Sequence, residues 1–85
     1  MGYHFVFTES AKVDLDRLDA HIKHRLGTRL REYETSSTLI AHAKKLTDHA
    51  SAQYRLRIGD YRLLMDKTEN TFIVLRVRHR KYSYR

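Results

Sequence analysis

Arginines dominate the chemistry available in the C-terminal third of this 85-residue chain. Over residues 54–65 and 72–85 they alternate with aliphatic residues, at the spacing that points successive strand side chains to opposite faces of a sheet. On that pattern one face carries Arg57, Arg62, Arg76, Arg78 and Arg80. Like charges facing each other across a sheet lower its stability. The pattern therefore predicts a surface that binds a polyanion, because guanidinium groups match phosphate in bidentate geometry.

The composition favours an anionic partner and excludes several classes of protein. The formal net charge is +7 at pH 7, with 17 basic against 10 acidic residues. This charge favours nucleic acid, an anionic membrane or an acidic protein as the partner. The absence of cysteine excludes disulfides and thiolate metal sites and suits the cytoplasm. The apolar runs are far shorter than the roughly 20 residues that span a bilayer, and residues 3–7 are too short for a secretion signal.

The six histidines raise the question of a metal site. His21 and His24 are close together in a predicted helix, but no cysteine or carboxylate completes a recognisable set of ligands. Neither a glycine-rich phosphate loop nor a nucleophile-elbow motif occurs. We therefore expect surface histidines, no metal ion and no cofactor.

The N-terminal half has the pattern of a strand followed by two helices. Alternating apolar residues over 3–7 predict a short strand, and Thr8 is placed as the N-cap of the helix that follows. Apolar residues at helical spacing predict helices over 9–18 and 20–34, packed as a hairpin. Residues 39–46 fit either a short helix or an extended segment. The side of the first helix expected to face solvent carries Asp14, Asp16 and Arg17.

The C-terminal third has the pattern of a β-hairpin followed by a further strand. Gly59–Asp60 is a two-residue hairpin turn, which places Arg57 opposite Arg62. A second turn at residues 67–70 leads to the last strand. The buried face of the hairpin is expected to consist of Tyr54, Leu56, Ile58, Tyr61, Leu63 and Met65.

Simple alternation divides the last strand into two faces. The core face consists of Ile73, Leu75, Val77 and His79. The arginine face gains Phe72 and Val74. We therefore predict one α+β domain over residues 1–85, with an N-terminal strand and a two-helix hairpin packed on one face of a small, largely antiparallel sheet. The other face of this sheet is open and cationic.

Three segments of the chain form a distinctive set. They are Tyr54-Arg-Leu-Arg-Ile-Gly-Asp-Tyr-Arg62, then Val77-Arg-His-Arg-Lys81 with a tyrosine near the end, and Ala43-Lys-Lys-Leu46 ahead of the hairpin. In this order and at this length the set resembles the RelE/ParE toxin superfamily. The order of strand, helix hairpin and further strands resembles that family too, so the resemblance covers essentially the whole chain.

The resemblance implies the cytoplasmic toxin of a toxin–antitoxin pair. RelE-like members enter the ribosomal A site and cut messenger RNA, with the 2′-hydroxyl as nucleophile and no required metal. ParE-like members share the fold and poison DNA gyrase instead. The expected partners are therefore a cognate, RelB-like antitoxin and, for the first activity, the ribosome and messenger RNA, with no membrane. An open cationic sheet with apolar residues suits an acidic or amphipathic antitoxin segment.

The positions that match the family imply roles for individual residues. In the RelE branch such residues hold phosphates, assist the leaving group (Arg80) and stack on a base (Tyr84, with Tyr82 as its substitute). The catalytic candidates are Arg57, Arg62, His79, Arg80 and Tyr84. The candidates for binding the RNA are Arg55, Arg76, Arg78, Lys81 and Tyr82.

One position departs from the family pattern. Arg57 stands where some RelE members have a lysine that acts as a base, and arginine is a poor base because it stays protonated. Three alternatives follow. His79 takes the proton, catalysis is mainly electrostatic, or the chain does not cleave RNA. In the last case it is a gyrase-poisoning toxin or a non-catalytic module that binds nucleic acid or a partner.

Overall fold

The described part of the chain forms one five-stranded sheet and two α-helices. The structure is a computed structural model and describes residues 3–35, 42–46 and 52–82. Its elements are β1 (His4–Phe7), α1 (Glu9–Asp16), α2 (Ala20–Thr35), β2 (Lys44–Lys45), β3 (Tyr54–Ile58), β4 (Tyr61–Thr68), β5 (Thr71–His79) and a 3-10 helix (Arg80–Tyr82). The strand order is β1-β5-β4-β3-β2. β1 runs parallel to β5 and all other neighbours are antiparallel. The predicted α+β architecture is confirmed.

The core lies between the helices and one face of the sheet. The helices contribute Ala11, Leu26, Leu30 and Tyr33. The sheet contributes Leu56, Ile58, Leu63, Met65, Phe72, Val74 and Val77. Tyr54 and Tyr61 are partly buried against this cluster, so the predicted buried face of the hairpin is confirmed. Within the described ranges, no helix has the length and apolar character that crossing a membrane requires.

Thr8 joins the first strand, the first helix and the last strand. Its hydroxyl accepts a hydrogen bond from the Ala11 N–H at 3.2 Å, which caps α1 as predicted. The same hydroxyl donates to the Leu75 carbonyl at 3.0 Å, and the Thr8 N–H donates to the Val74 carbonyl at 3.1 Å. An N-cap of this type contributes about 1 kcal/mol. Thr8 therefore sets where β1 ends and how α1 leaves the sheet.

The second strand is short and lies at the sheet edge. Of the segment 39–46, the structure describes residues 42–46. Lys44 pairs with Arg55, and Lys45 pairs with Tyr54, both antiparallel. The extended alternative is therefore confirmed at these two lysines.

The hairpin forms in the predicted register. Arg57 pairs with Arg62, and Ile58 pairs with Tyr61, across the Gly59–Asp60 turn. Gly59 has a φ of 60°, in the left-handed region. Glycine adopts this conformation without the steric cost that a Cβ imposes. The turn residue thus determines the pairing that brings two arginines face to face.

The predicted faces of β5 are wrong in the first half of the strand. Alternation assigned Ile73 and Leu75 to the core, whereas Phe72 and Val74 are the fully buried residues. Both leave the arginine face to which they were assigned. A β-bulge causes the difference, because the register between β4 and β5 shifts and Leu75 is the extra residue on β5.

The bulge reverses the alternation only on one side of it. Leu64 pairs with Arg76, but the next residue of β4, Met65, pairs with Val74. Beyond the bulge the prediction is confirmed for the strand, because Val77 is buried and Arg76 and Arg78 lie on the opposite face. One strand can therefore bury an aromatic end and still present arginines at its other end.

Gly59→Ala should lower the free energy of unfolding by about 1 kcal/mol, because an L-residue is strained at this φ. No atom lies within 4 Å of the added Cβ, so the cost is conformational. Gly59→Asn should cost less, since Asn tolerates the left-handed region.

Gly27→Ala in α2 is the matched control, measured by urea denaturation with the two Gly59 variants. It should stabilise by roughly 0.5–1 kcal/mol, because the added Cβ meets only the flexible end of Arg31, at 3.6 Å. Equal effects at the two glycines would contradict the assignment of the turn.

Candidate nucleic-acid interface

Three arginines lie directly opposite one another on the face that the helices leave uncovered. Arg57 on β3 pairs with Arg62 on β4, which pairs with Arg78 on β5. Directly opposed residues share a face, with Cβ atoms about 4.5–5.5 Å apart. We call these three residues the arginine row. Its members are brought together as the sequence predicts.

A second line of side chains runs beside the arginine row on the same face. It consists of Lys44, Arg55, Leu64 and Arg76, one from each of the strands β2 to β5. In the described ranges, no carboxylate lies within salt-bridge distance of Arg55, Arg57 or Arg78. The Arg57 Nε donates to the Gly59 carbonyl at 3.2 Å, which directs this exposed side chain along the hairpin turn. Arg55, Arg57 and Arg78 are therefore available to an anionic ligand.

Arg76 differs from the other arginines because α1 holds it in an ion pair. Its Nε and Nη2 donate to the two carboxylate oxygens of Asp14, at 2.9 and 3.0 Å. The Val77 N–H donates to the same carboxylate at 2.9 Å. Arg76 therefore helps to hold α1 on β5, and its binding of RNA stays a prediction.

Asp14 caps a strand edge as well as pairing with an arginine. The pairing of β1 with β5 ends at Val74, and among the described residues no strand pairs with the outer edge of β5 beyond it. Asp14 accepts the Val77 N–H on this edge, and its side chain is only 11% exposed. A satisfied edge N–H avoids the cost of an unpaired backbone donor.

The surroundings of Asp14 favour its charged form. Burial opposes ionisation, but the hydrogen bonds from Arg76 and the Val77 N–H, with the positive charges of Arg76 and Arg78, outweigh it. The pKa of Asp14 is therefore lowered from its ordinary value. Asp14 in turn raises the pKa of Arg76, through its hydrogen bond to the guanidinium group and through its negative charge.

The expectation that Asp14 faces solvent is wrong. Asp14 lies one helical turn after Ala11, which is fully buried against the sheet. Spacing of this kind places two residues on the same side of a helix. The apolar residue Ala11, three positions earlier, was therefore the signal in the sequence that Asp14 turns toward the sheet. No local feature of the sequence identified Arg76 as its partner.

Arg80 lies at the hairpin turn, beyond the end of β5. The strand ends at His79, so Arg80 belongs to the 3-10 helix and not to the strand alternation that was expected to align it. Its N–H donates to the Asp60 carbonyl at 2.8 Å, and its Nε is 3.8 Å from the Asp60 carboxylate. Arg57 and Arg80 therefore contact neighbouring residues of one turn.

His79 lies on the other side of the sheet from the arginine row. It pairs with Tyr61, and the two rings are perpendicular with centroids 5.1 Å apart. Its Nδ1 accepts a hydrogen bond from the Lys81 N–H at 3.1 Å. This placement follows the alternation, and its catalytic role stays a prediction that the geometry does not favour.

The remaining predicted residues are less defined by their surroundings. Lys81 is exposed in the 3-10 helix, and the backbone of Tyr82 ends that helix. Tyr84 lies outside the described residues. His21 and His24 are exposed on α2, and among the described residues no group of three or more potential metal ligands occurs.

Comparison with known proteins identifies relatives over almost the full chain. The model of the ParE toxin of type II toxin–antitoxin systems, parDE, matches residues 5–84. Toxin RelE3 of Methanocaldococcus jannaschii is 30% identical over 82 residues, which cover 93% of this chain and 92% of the relative. The family-model match extends across the arginine row and the 3-10 helix.

Solved structures share the fold. The toxin–antitoxin complex RelBE2 from Mycobacterium tuberculosis contains a chain with a TM-score of 0.72 and 26% identity, covering 93% of this chain and 99% of that one. The RelB–RelE complex from Methanococcus jannaschii contains one with a TM-score of 0.70 and 30% identity, covering 93% and 94%. A mutant E. coli toxin RelE in the free state, at 23% identity and a TM-score of 0.72, covering 99% of this chain and 90% of its own, matches in fold.

Asp14→Asn should lower the free energy of unfolding at pH 7 by roughly 1–3 kcal/mol, because hydrogen bonds to charged groups contribute about that much. A lowered pKa means that the carboxylate stabilises the fold above its unfolded pKa, near 3.9. This contribution is lost as the pH falls through the lower pKa of the folded protein.

The difference between wild type and Asp14→Asn should therefore shrink below about pH 4, in urea titrations from pH 7 to pH 3. Asp16→Asn is the control, since the Asp16–Lys23 pair is exposed and contributes little. A pH-independent difference would contradict the charged pair as the source of stability.

Proposed function

The chain belongs to the ParE toxin family of type II toxin–antitoxin systems, in which its similarity to RelE toxins is marked, and from this premise we propose that it cuts messenger RNA on the ribosome. The arginine row carries this proposal. Three adjacent guanidinium groups on an open sheet face form a surface suited to successive phosphates of one strand.

The proposed chemistry is attack by a 2′-hydroxyl on the adjacent phosphate. The 2′ oxygen forms a bond to phosphorus, and the bond from phosphorus to the 5′ oxygen breaks. The 2′-hydroxyl proton goes to water, and the departing 5′ oxygen takes a proton from water. The products are a 2′,3′-cyclic phosphate and a 5′-hydroxyl.

The arginines act electrostatically in this scheme. Negative charge builds on the phosphoryl oxygens and on the departing oxygen, and preorganised cations stabilise it. We assign the phosphoryl oxygens to Arg57 and Arg62 and the departing oxygen to Arg80, which the hairpin turn holds at the same end of the sheet. Arg78 and Arg55 extend the cationic surface to neighbouring phosphates.

Of the two routes for the proton, the electrostatic one agrees better with the geometry. His79 lies behind the sheet relative to the arginine row, with its Nδ1 already accepting a hydrogen bond. Arg57 does not lose its proton in a protein. Water at the arginine row is therefore the proposed acceptor, and fixed positive charge supplies the acceleration.

A role for the ribosome follows from what such a surface contacts. Phosphate contacts position a strand but do not read its bases. An unpaired, extended message presented in the ribosomal A site would supply the orientation that a flat cationic row lacks. This is the setting in which RelE-like toxins work.

A RelB-like antitoxin is the proposed protein partner. The RelBE2 and RelB–RelE structures are toxin–antitoxin complexes. On this chain, apolar side chains lie on the open face beside the arginines. Val6 on β1 is 47% exposed and pairs with Ile73, and Leu64 is half-buried on β4, beyond β5. An antitoxin segment with acidic and apolar side chains would cover both kinds of residue.

The second candidate function is poisoning of DNA gyrase without nuclease activity. Two observations favour it: the matching family model is that of ParE toxins, and Arg57 replaces the lysine that serves as a base in some RelE members. Cleaved messages in arrested cells would exclude it as the main activity, whereas DNA-break signalling with intact messages would support it.

Arg62→Ala and Arg80→Ala should each relieve growth arrest in a bacterial host. They should also reduce message cleavage in a translation extract by about 100-fold or more, as loss of one preorganised charge donor does. Primer extension on a reporter transcript measures the cleavage. Arg31→Ala on α2 is the control, because it removes an exposed arginine from the helix layer.

Circular dichroism should confirm that each variant remains folded. Full toxicity and full cleavage in both folded variants would contradict the proposed role of the arginines.

Val6→Asp should weaken binding to the RelB-like antitoxin by at least about tenfold, because it places a charge in an apolar contact. His24→Asp, which adds the same charge on the exposed side of α2, should leave the affinity unchanged. Isothermal titration calorimetry measures both. Equal affinities in the two variants would argue against the open face as the antitoxin site.

A further inference from the structure

A cleft opens on the helix side of the sheet, behind the end of the arginine row. It has a volume of about 180 Å³ and lies between α2, the hairpin turn and the end of β5. Ile22 and Ile58 contribute its apolar surface, and Tyr61 and His79 contribute aromatic rings. The volume is below the about 300 Å³ of a drug-sized pocket, so the cleft suits a single flat ring system.

The two rings provide a site for stacking. Tyr61 and His79 are perpendicular, with centroids 5.1 Å apart. A third ring can lie on the face of one and meet the edge of the other, which are the favoured aromatic arrangements. Proteins bind unpaired bases on aromatic side chains in this way, and the apolar side chain of Ile22 adds to that contact.

The polar groups at the rim favour one base. Asp60 and Arg25 both line the cleft. A carboxylate can accept the two adjacent N–H groups of the guanine Watson–Crick edge, and a guanidinium can donate to guanine O6 and N7. Adenine lacks the first pair of donors and presents an amino group to the arginine. Uracil offers one N–H between two carbonyls. Neither adenine nor uracil can therefore pair with both Asp60 and Arg25.

The cleft is continuous with the arginine row through the hairpin turn. On the open side Gly59 accepts from Arg57, and on the cleft side Asp60 accepts from the Arg80 N–H. Tyr61 directly precedes Arg62 in β4, and consecutive strand side chains are about 3.4 Å apart along the strand and point to opposite faces. A strand that leaves the arginine row around this turn reaches the cleft within a short distance.

We propose that this cleft binds one unpaired guanine base of an RNA strand whose phosphates lie on the arginine row. The inference rests on the proposed binding of RNA and adds a base-reading subsite to it. The arginine row binds the phosphates of RNA of any sequence, and the cleft discriminates between guanine and the other bases. The toxin would then prefer messages with guanine at one position beside the cut.

The test uses two fluorescent 2′-O-methyl RNA hexamers, which resist cleavage through the 2′-hydroxyl. One is all uridine, and the other carries one central guanosine. Fluorescence anisotropy should show about tenfold tighter binding of the guanosine hexamer by the wild-type protein. Asp60→Asn and Arg25→Ala should each remove this preference, so that the two hexamers bind the variant with equal affinity.

Matched controls distinguish recognition of guanine in the cleft from general electrostatic attraction between the protein and RNA. Asp16→Asn and Arg31→Ala remove exposed groups from outside the cleft and should keep the preference. Arg62→Ala should weaken both hexamers by a similar factor. Equal binding of the two hexamers by the wild type would overturn the cleft and leave the proposed function intact, because message cleavage would still depend on Arg62.

A second measurement does not require variants. Titration of the wild type with guanosine 5′-monophosphate should shift the amide NMR signals of Ile22, Tyr61 and His79, and uridine 5′-monophosphate should not. Identical shifts with both nucleotides would overturn the guanine assignment. Shifts at these residues with the antitoxin but with neither nucleotide would identify the cleft as a protein contact and likewise overturn the proposal.

Discussion

Repulsion between arginines on one sheet face is the constraint that the rest of the structure must offset. Directly behind the arginine row, Leu56, Leu63 and Val77 form the corresponding buried row. Burial of one such side chain contributes about 1.5–3 kcal/mol, whereas a cross-strand pair changes stability by roughly 0.2–1 kcal/mol. Alternation gives each of β3, β4 and β5 a buried apolar residue next to an arginine of the open face. The apolar face can therefore hold the strands in a register that the cationic face opposes.

The structure relieves this repulsion at one end and retains it at the other. At the α1 side, Asp14 neutralises Arg76 and caps the free edge of β5 with the same carboxylate. At the hairpin side, the Gly59 carbonyl directs Arg57 without removing its charge, whereas the Asp60 carboxylate lies 3.8 Å from Nε of Arg80. Arg57 and Arg78 thus keep their charge on the side of the sheet toward the turn, where the proposed chemistry and the helix-side cleft meet.

The bulge in β5 reconciles two requirements on a single strand. Its first half must bury Phe72 against the rings of Tyr3, Phe5 and Tyr54, and its second half must present Arg78 to the open face. Strict alternation cannot meet both requirements with this sequence, because these two residues are separated by an even number of positions. One extra residue at Leu75 changes the phase, and Thr8 binds the carbonyl of that residue. The N-terminal strand, the first helix and the cationic face are therefore coupled at this point.

Features that depend on neighbours along the chain could be predicted from the amino-acid sequence. Alternation around a glycine turn set the hairpin register, and helical spacing set both helices, because each pattern has a period that a few residues reveal. It also placed Arg57 opposite Arg62 and turned His79 away from them. The bulge stayed hidden because residues 72–75 are all apolar, so either phase of the alternation buries a hydrophobic residue.

Contacts between groups that are distant in the chain became evident only from the folded structure. The pairing of Asp14 with Arg76 joins residues 62 positions apart, and the parallel pairing of β1 with β5 joins the two ends of the fold. The cleft needs a helix, a turn and a strand end at one place. No local period encodes such contacts, because they depend on how the packed layers bring separate segments together.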